Sequence, residues 1–497
     1  MSADTGNPMP WYQPPTATQP PQPWPWPRDL VFGAETPSPW APGSYPARLG
    51  QAEDDAPTLY YPDVLSALAG PLDDGVLQQL SEALAPLGMS IARGPDFRDG
   101  SEVTLVLSAA AGAPDAWQAL HRLRSIRGTS TLGPAASAAV DGLALRRLYL
   151  TGMPAKDGHS GNDRAAVTLL AVPPRTDPSR VPGGRRPVVA VIDSGVGRHP
   201  WLDGTARDPF WLDARDLQWK GAPPGPATNE TDGDVSPADG KLDTHAGHGT
   251  FIAGLVRQIA PDARVLSLYA MSGSGVLDET VVLDALGWLL ARVRAATSGA
   301  SQDPSKFVDI INLSFGYYER TAADSRYTRE LRQILGDLGS LGVQVVASAG
   351  NDATVRPTFP AAFADPAYTA VPTIRLISVG ALNPDGSPAP YTNIDPVWPH
   401  HWEPGTAVTS TTPKTFGTSP DPDPDLVPAP YDPDDLAGGF ARWSGTSFAA
   451  GVAAARLARA LSDGAAGHDL LDVSPEAAGA RMRRARKAIG VDGDDGH

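Results

Sequence analysis

Between residues 187 and 461 the chain repeats one alternation, a short apolar run followed by a segment with helical spacing. The apolar runs are Val188–Ile192, Arg264–Leu268, Val308–Leu313, Val343–Ala347 and Leu376–Val379. The helical segments are His248–Ile259, Leu277–Ala295, Ala323–Leu341 and Ser447–Leu461. Runs that are apolar throughout suit strands covered on both faces, and strands separated by helices pair in parallel. The pattern predicts an α/β domain, a parallel sheet with helices on both faces. In such a sheet the crevice lies at the carboxyl ends of the strands.

The chain upstream reads differently. Residues 1–55 are rich in Pro, Gln and Thr, with Trp11, Trp24, Trp26 and Trp40 among the prolines; this segment is expected to be a disordered or polyproline-like tail. Residues 56–152 carry β-prone runs at Thr58–Leu65, Met89–Ala92, Val103–Leu107 and Leu143–Leu150, with helical spacing at Asp73–Leu87 and Pro114–Ile126. The order β-α-β-β-α-β predicts a small α+β unit of ferredoxin-like fold, although Pro62 interrupts its first strand. Residues 153–186, with Pro173, Pro174, Pro178, Pro182 and Gly183–Gly184, read as a linker, and 463–497 as a C-terminal segment with a basic helical patch (Arg481–Lys487) and an acidic end.

The chain has no cysteine among 497 residues, which excludes disulfides, thiol catalysis and cysteine-ligated metal. Its formal charge of −16 argues against nucleic acid and anionic membrane as partners. The N-terminus shows neither a basic n-region nor an apolar run of signal length, and no stretch is long enough to span a bilayer, so a cytoplasmic protein is the expectation.

Four residues sit where chemistry is expected. Asp193 directly follows a buried-type strand, where a carboxylate can hold an imidazole in one tautomer. His248 lies between glycines at the start of a helix, with His245 as a competitor. Ser447 opens a small-residue helix, where a hydroxyl is exposed for attack and the helix terminus favours developing negative charge. Asn351 ends another apolar strand, where its amide can serve as an oxyanion donor beside the Ser447 N–H. Each has a plain alternative: a strand-end turn, a structural histidine, an N-cap serine, a turn asparagine. No Gly-x-Gly-x-x-Gly after a strand and no P-loop occurs where a nucleotide would need it.

The order Asp…His…Ser and the flanking sequences resemble the subtilisin-like serine proteases, the subtilases. The resemblance covers 187–461 and includes Val188–Val196, His199–Leu202, Gly247–Gly254, Ile311–Gly316, Ala347–Asp352, Ile377–Ala381, Val408–Thr411 and Ser444–Gly451. It departs at Phe251, where the family usually has a second histidine, at Phe448 (Met) and at Gly451 (Pro). The resemblance implies a serine endopeptidase with catalytic Asp193, His248 and Ser447 and oxyanion donor Asn351. It implies an extended peptide or protein substrate between Gly273, Ser274 and Gly275 on one side and Ser314, Phe315 and Gly316 on the other. It also implies a role for residues 56–152, that of a propeptide-like domain over the cleft. No cofactor is required. Structural calcium occurs in the family, but Asp232, Asp234, Asp239 and Asp243 do not follow the EF-hand spacing and read as a solvated acidic loop. The alternative is a catalytically inactive subtilase fold serving as a binding scaffold.

Overall fold

The computed structural model describes residues 48–49, 59–68, 72–94, 102–150, 164–167, 173–177, 185–203, 210–220, 230–233, 242–298, 303–318, 325–369, 371, 373–416, 436–463 and 470–491. The expected Pro/Trp tail falls almost wholly outside them, as does most of the linker. The elements in chain order are β1 (Arg48–Leu49), β2 (Leu59–Leu68), α1 (Asp74–Leu84), β3 (Met89–Arg93), β4 (Glu102–Ala109), α2 (Ala116–Ile126), α3 (Pro134–Asp141), β5 (Leu143–Leu150) and β6 (Ala165–Ala166). There follow β7 (Val188–Asp193), β8 (Trp211–Asp213), α4 (His248–Ile259), β9 (Arg264–Tyr269), β10 (Val276–Asp278), α5 (Glu279–Thr297), β11 (Ile310–Leu313), β12 (Tyr317–Tyr318), α6 (Ser325–Ser340) and β13 (Gln344–Ser348). The last are β14 (Thr358–Phe359), β15 (Leu376–Leu382), β16 (His401–Pro404), β17 (Val408–Thr411), β18 (Phe440–Trp443), α7 (Thr446–Asp463) and α8 (Pro475–Ala488).

Seven strands form the main sheet in the order β16-β15-β13-β11-β7-β9-β8, and every pairing in it is parallel. Successive side chains of a strand face opposite ways. Ala190 and Ile192 of β7 therefore join the core under α5 and α6, while Val189 and Val191 join the core under α4 and α7. The α/β sandwich expected from the apolar runs is thus present, with both sheet faces covered. Helix α8 completes it: Met482 and Ala485 pack into the α4–α7 core.

The N-terminal unit has the ferredoxin-like order β5-β2-β4-β3, all antiparallel, with α1, α2 and α3 on one face. Pro62 is accommodated because the β2–β5 register shifts between Tyr60 and Leu65, an irregularity of the kind that tolerates a missing ladder donor. The sheet does not end at β5. Strand β10 of the main domain adds to it, with Val276 opposite Leu150 and Asp278 opposite Leu148. Behind this junction Arg146 is fully buried; it donates to both carboxylate oxygens of Asp278, at 3.0 Å for Oδ2 and 3.2 Å for the shortest approach to Oδ1, and to Thr104 Oγ1 at 3.2 Å. Among the described residues no helix is long and apolar enough to cross a membrane.

Candidate active site

The carboxyl ends of β7 and β13 and the starts of α4 and α7 converge at one end of the sheet. Asp193 is the last residue of β7. Its carboxylate accepts from Nδ1 of His248 at 2.9 and 3.0 Å and from the Ser194 N–H at 2.8 Å. His248 opens α4, and glycine is required on both sides of it. Gly247 has φ of 80°, a conformation that glycine enters without steric cost. A Cβ on Gly249 would meet the Gly195 carbonyl at 2.2 Å. The imidazole is 2 % exposed and lies among Trp443 (ring centroids 5.5 Å apart, edge-on) and Phe448 (5.1 Å). His245, the competing histidine, hydrogen-bonds Thr244 and lies 5.7 Å from the His248 ring, one step further from Asp193.

Ser447 is the second residue of α7 and is 2 % exposed. Its hydroxyl donates to the Ser314 carbonyl at 3.2 Å, and the Ser314 hydroxyl returns a bond to the Ser447 carbonyl at 3.0 Å. The Ser447 hydroxyl is thus turned to Ser314 rather than to His248. Asn351 follows Gly350 in the turn after β13; its side-chain oxygen accepts from the Thr446 N–H (2.9 Å) and hydroxyl (2.7 Å). That fixes the amide so that Nδ2 faces Gly445, on the Ser447 side of the turn.

The structure treats the expected substrate-contacting residues unevenly. Ser314 lies against Ser447, Phe315 is buried in the α5–α6 core, and Gly316 beside it is partly exposed. Gly273, Ser274 and Gly275 form a turn: the Gly275 N–H donates to the Ser272 carbonyl at 3.0 Å, and Met271 bridges Leu277 across it. This turn leads directly into β10 and hence into the sheet of the N-terminal unit.

Two functional-looking residues escaped sequence reasoning. Glu230, in the polar 203–243 loop, is 2 % exposed and accepts from the Ser194 hydroxyl at 2.5 Å, from the Thr250 hydroxyl and from the Gly247 N–H at 3.1 Å. Burial pushes its carboxyl up to about 8, against the pull of the Ser194 and Thr250 bonds and with a smaller push from the Asp193 charge. Arg164, from the presumed linker, donates to the carbonyls of Ala246 and Asp243 (2.8 Å for the latter) and lies 4.6 Å over Trp443. A glutamate in a polar loop and an arginine in a linker carry no periodic signal, so nothing local marked either as buried. Of the acidic loop, Asp234 and Asp239 lie outside the described residues, and among those described no group of three or more His, Asp or Glu side chains is placed to hold a metal.

The parallel seven-stranded sheet, with these residues at the carboxyl ends of its strands, has the subtilisin-like α/β arrangement. The model of the subtilase family (Peptidase_S8) matches residues 184–491, and the chain belongs to that family. It is a serine-type peptidase, with peptides or proteins as its substrates. The crystal structure of a cold adapted subtilisin-like serine proteinase is similar at 18 % identity with a TM-score of 0.35, covering 64 % of this chain and 88 % of that one. No curated protein matches the chain.

Proposed function

We propose that the chain is a serine endopeptidase in which Ser447 is the nucleophile, His248 its general base, Asp193 the group that orients and stabilises the imidazolium, and Asn351 an oxyanion donor. The observation that carries this reading is the Asp193–His248 hydrogen bond at the end of the sheet where Ser447 and Asn351 also lie. Asp193 bonds Nδ1, which leaves Nε2 as the nitrogen free to take a proton. A rotation about the Ser447 Cα–Cβ bond turns its hydroxyl from Ser314 towards His248; such bonds commonly tighten only when substrate is bound. Attack on a peptide carbonyl then gives a tetrahedral oxyanion, held by Asn351 Nδ2 and the Ser447 N–H, and collapse to an acyl-enzyme that water hydrolyses.

The N-terminal unit fits a cleft-covering role. Its strand β5 pairs with the residues immediately after Gly275 and ends at Leu150 opposite Val276, beside the turn expected to meet substrate. The test is a fluorophosphonate probe together with a peptide-library assay. Labelling and turnover that both vanish in Ser447→Ala support the endopeptidase; undiminished turnover in that variant, or no labelling of the parent, favours the inactive scaffold.

A further inference from the structure

Ser194 sits between two buried carboxyl groups, and its single hydroxyl proton cannot serve both. Its oxygen lies 2.5 Å from Glu230 Oε1 and 3.2 Å from Asp193 Oδ1, and it already accepts from the Gly249 N–H at 2.9 Å. On the other side of Glu230, the Thr250 oxygen accepts from the Gly197 N–H at 2.7 Å, and its own proton points to Glu230 Oε2.

If Glu230 were ionised, Ser194 would give its proton to Glu230. Asp193 would then lose that donor, and a second buried negative charge would stand beside it. If Glu230 carries a proton on Oε1, that proton goes to Ser194, Ser194 donates to Asp193, Thr250 donates to Oε2, and the Gly247 N–H still finds Oε1. The Gly247, Gly249 and Thr250 donors find an acceptor in either state, so what the proton changes is at Asp193: it gains the Ser194 hydroxyl, and no second buried charge stands beside it without a cation in contact. We propose that Glu230 works as an uncharged carboxylic acid, a positioning residue that hands a hydrogen bond through Ser194 to Asp193 and ties down the Gly247 turn in front of His248.

The inference rests on the roles proposed above for Asp193 and His248. It extends them to a residue that touches neither the reacting atoms nor the imidazole. The charged or titratable groups facing Glu230 are Asp193 at the end of β7, Tyr269 at the end of β9 and Arg164 before β6. His245 and His248 flank the Gly247 turn, Asp243 precedes it, and Asp232 shares the short segment of Glu230 itself. Arg164 does not neutralise Glu230 by contact, since its bonds go to the carbonyls of Ala246 and Asp243. Burial raises the carboxyl to about 8, in keeping with the protonated form at neutral pH.

Two measurements test this. First, infrared difference spectra between Ser447→Ala and Ser447→Ala/Glu230→Gln protein at pH 6 read the proton without any turnover. A protonated-carboxyl carbonyl band that the glutamine variant lacks is expected, and a carboxylate band in its place overturns the proposal. Second, kcat/KM is followed from pH 5 to 10 for the parent, Glu230→Gln and Ser194→Ala. The parent is expected to show an alkaline inflection near 8 that Glu230→Gln loses. Ser194→Ala, which leaves Glu230 in place but removes the relay, lowers kcat about tenfold with KM little changed. It carries the kinetic test if the glutamine variant does not fold. Parent and Glu230→Gln profiles that superimpose, or a Ser194→Ala kcat equal to the parent's, sink the proposal. Fluorophosphonate labelling of the parent in the same preparations shows separately whether the peptidase reading itself stands.

Discussion

Arg146→Met is the most informative single change outside the crevice, because Arg146 joins the N-terminal sheet to the first turn of α5. The guanidinium is fully buried, and Asp278 is nearly so. Burial and the Asp278 charge together hold the neighbouring Tyr61 phenol well above its ordinary range. Methionine keeps most of the bulk but leaves the Asp278 carboxylate without its cation, next to buried Glu279 and Asp63. Removing one partner of a buried pair costs about 3–5 kcal/mol, most of it the penalty on the charge left behind. Asp278 also caps α5 by accepting from the Thr280 N–H at 2.8 Å, a duty that asparagine can keep. The expected result is a loss of about 3–5 kcal/mol in Arg146→Met. In the double variant Arg146→Met/Asp278→Asn most of that loss returns, because no unpaired charge remains. Urea unfolding in a Ser447→Ala background, which avoids self-digestion, gives the free energies, and amide exchange along β5 and β10 shows whether the junction is what opens. An Arg146→Met protein within about 0.5 kcal/mol of its parent would refute the claim that this ion pair holds the two units together.

Three further outcomes are expected. Asn351→Ala lowers kcat by roughly 10²–10³ with little change in KM, measured by steady-state peptide hydrolysis, because the lost amide meets charge only in the transition state. Glu230→Gln changes the pH dependence of stability: the folded carboxyl titrates at about 8 against an ordinary 4.5, so the folded state binds the extra proton between those values. The contribution of Glu230 to stability is full below 4.5 and is lost as pH rises towards 8, a slope the glutamine variant lacks in thermal scans. Gly451→Ala stabilises the protein by about 0.5–1 kcal/mol in urea unfolding, because the glycine sits inside α7 and the nearest atoms an added Cβ would meet, on Ile252 and Leu255, lie at 3.4 Å, ordinary van der Waals contact.

The main sheet was legible because its strands are apolar on both faces, a property that survives without knowledge of neighbours. Val188–Ile192 and Arg264–Leu268 fall within β7 and β9, each of which runs one residue further. What failed to show was short or borrowed its stability from afar. Strand β8 has three residues inside a polar loop, and β10 has three whose partner lies more than a hundred positions upstream in β5. The helical spacing begins at Leu277, yet Leu277 and Asp278 finish strand β10 and the helix starts at Glu279. Helix α8 looked like an appendage because its charged face dominates the sequence, while Met482 and Ala485 on the other face enter the core. In the crevice the four singled-out residues end strands or start helices, positions that sequence reveals; Glu230 and Arg164 sit in segments without period, and only tertiary closure buries them.

The segment around Arg164 has a consequence for where this peptidase can be cut short. The family match begins at residue 184, and a chain started there would retain every strand of the main sheet. It would lack β6, so the edge of β18 that pairs with Ala165 and Ala166 would stand open beside the helix of Ser447. The Trp443 face would lose its cation, and the carbonyls of Asp243 and Ala246, which shape the approach to His248, would lose their donors. A chain that keeps the surroundings of His248 and Trp443 intact therefore begins upstream of Arg164, some twenty residues before the boundary that family likeness alone would draw.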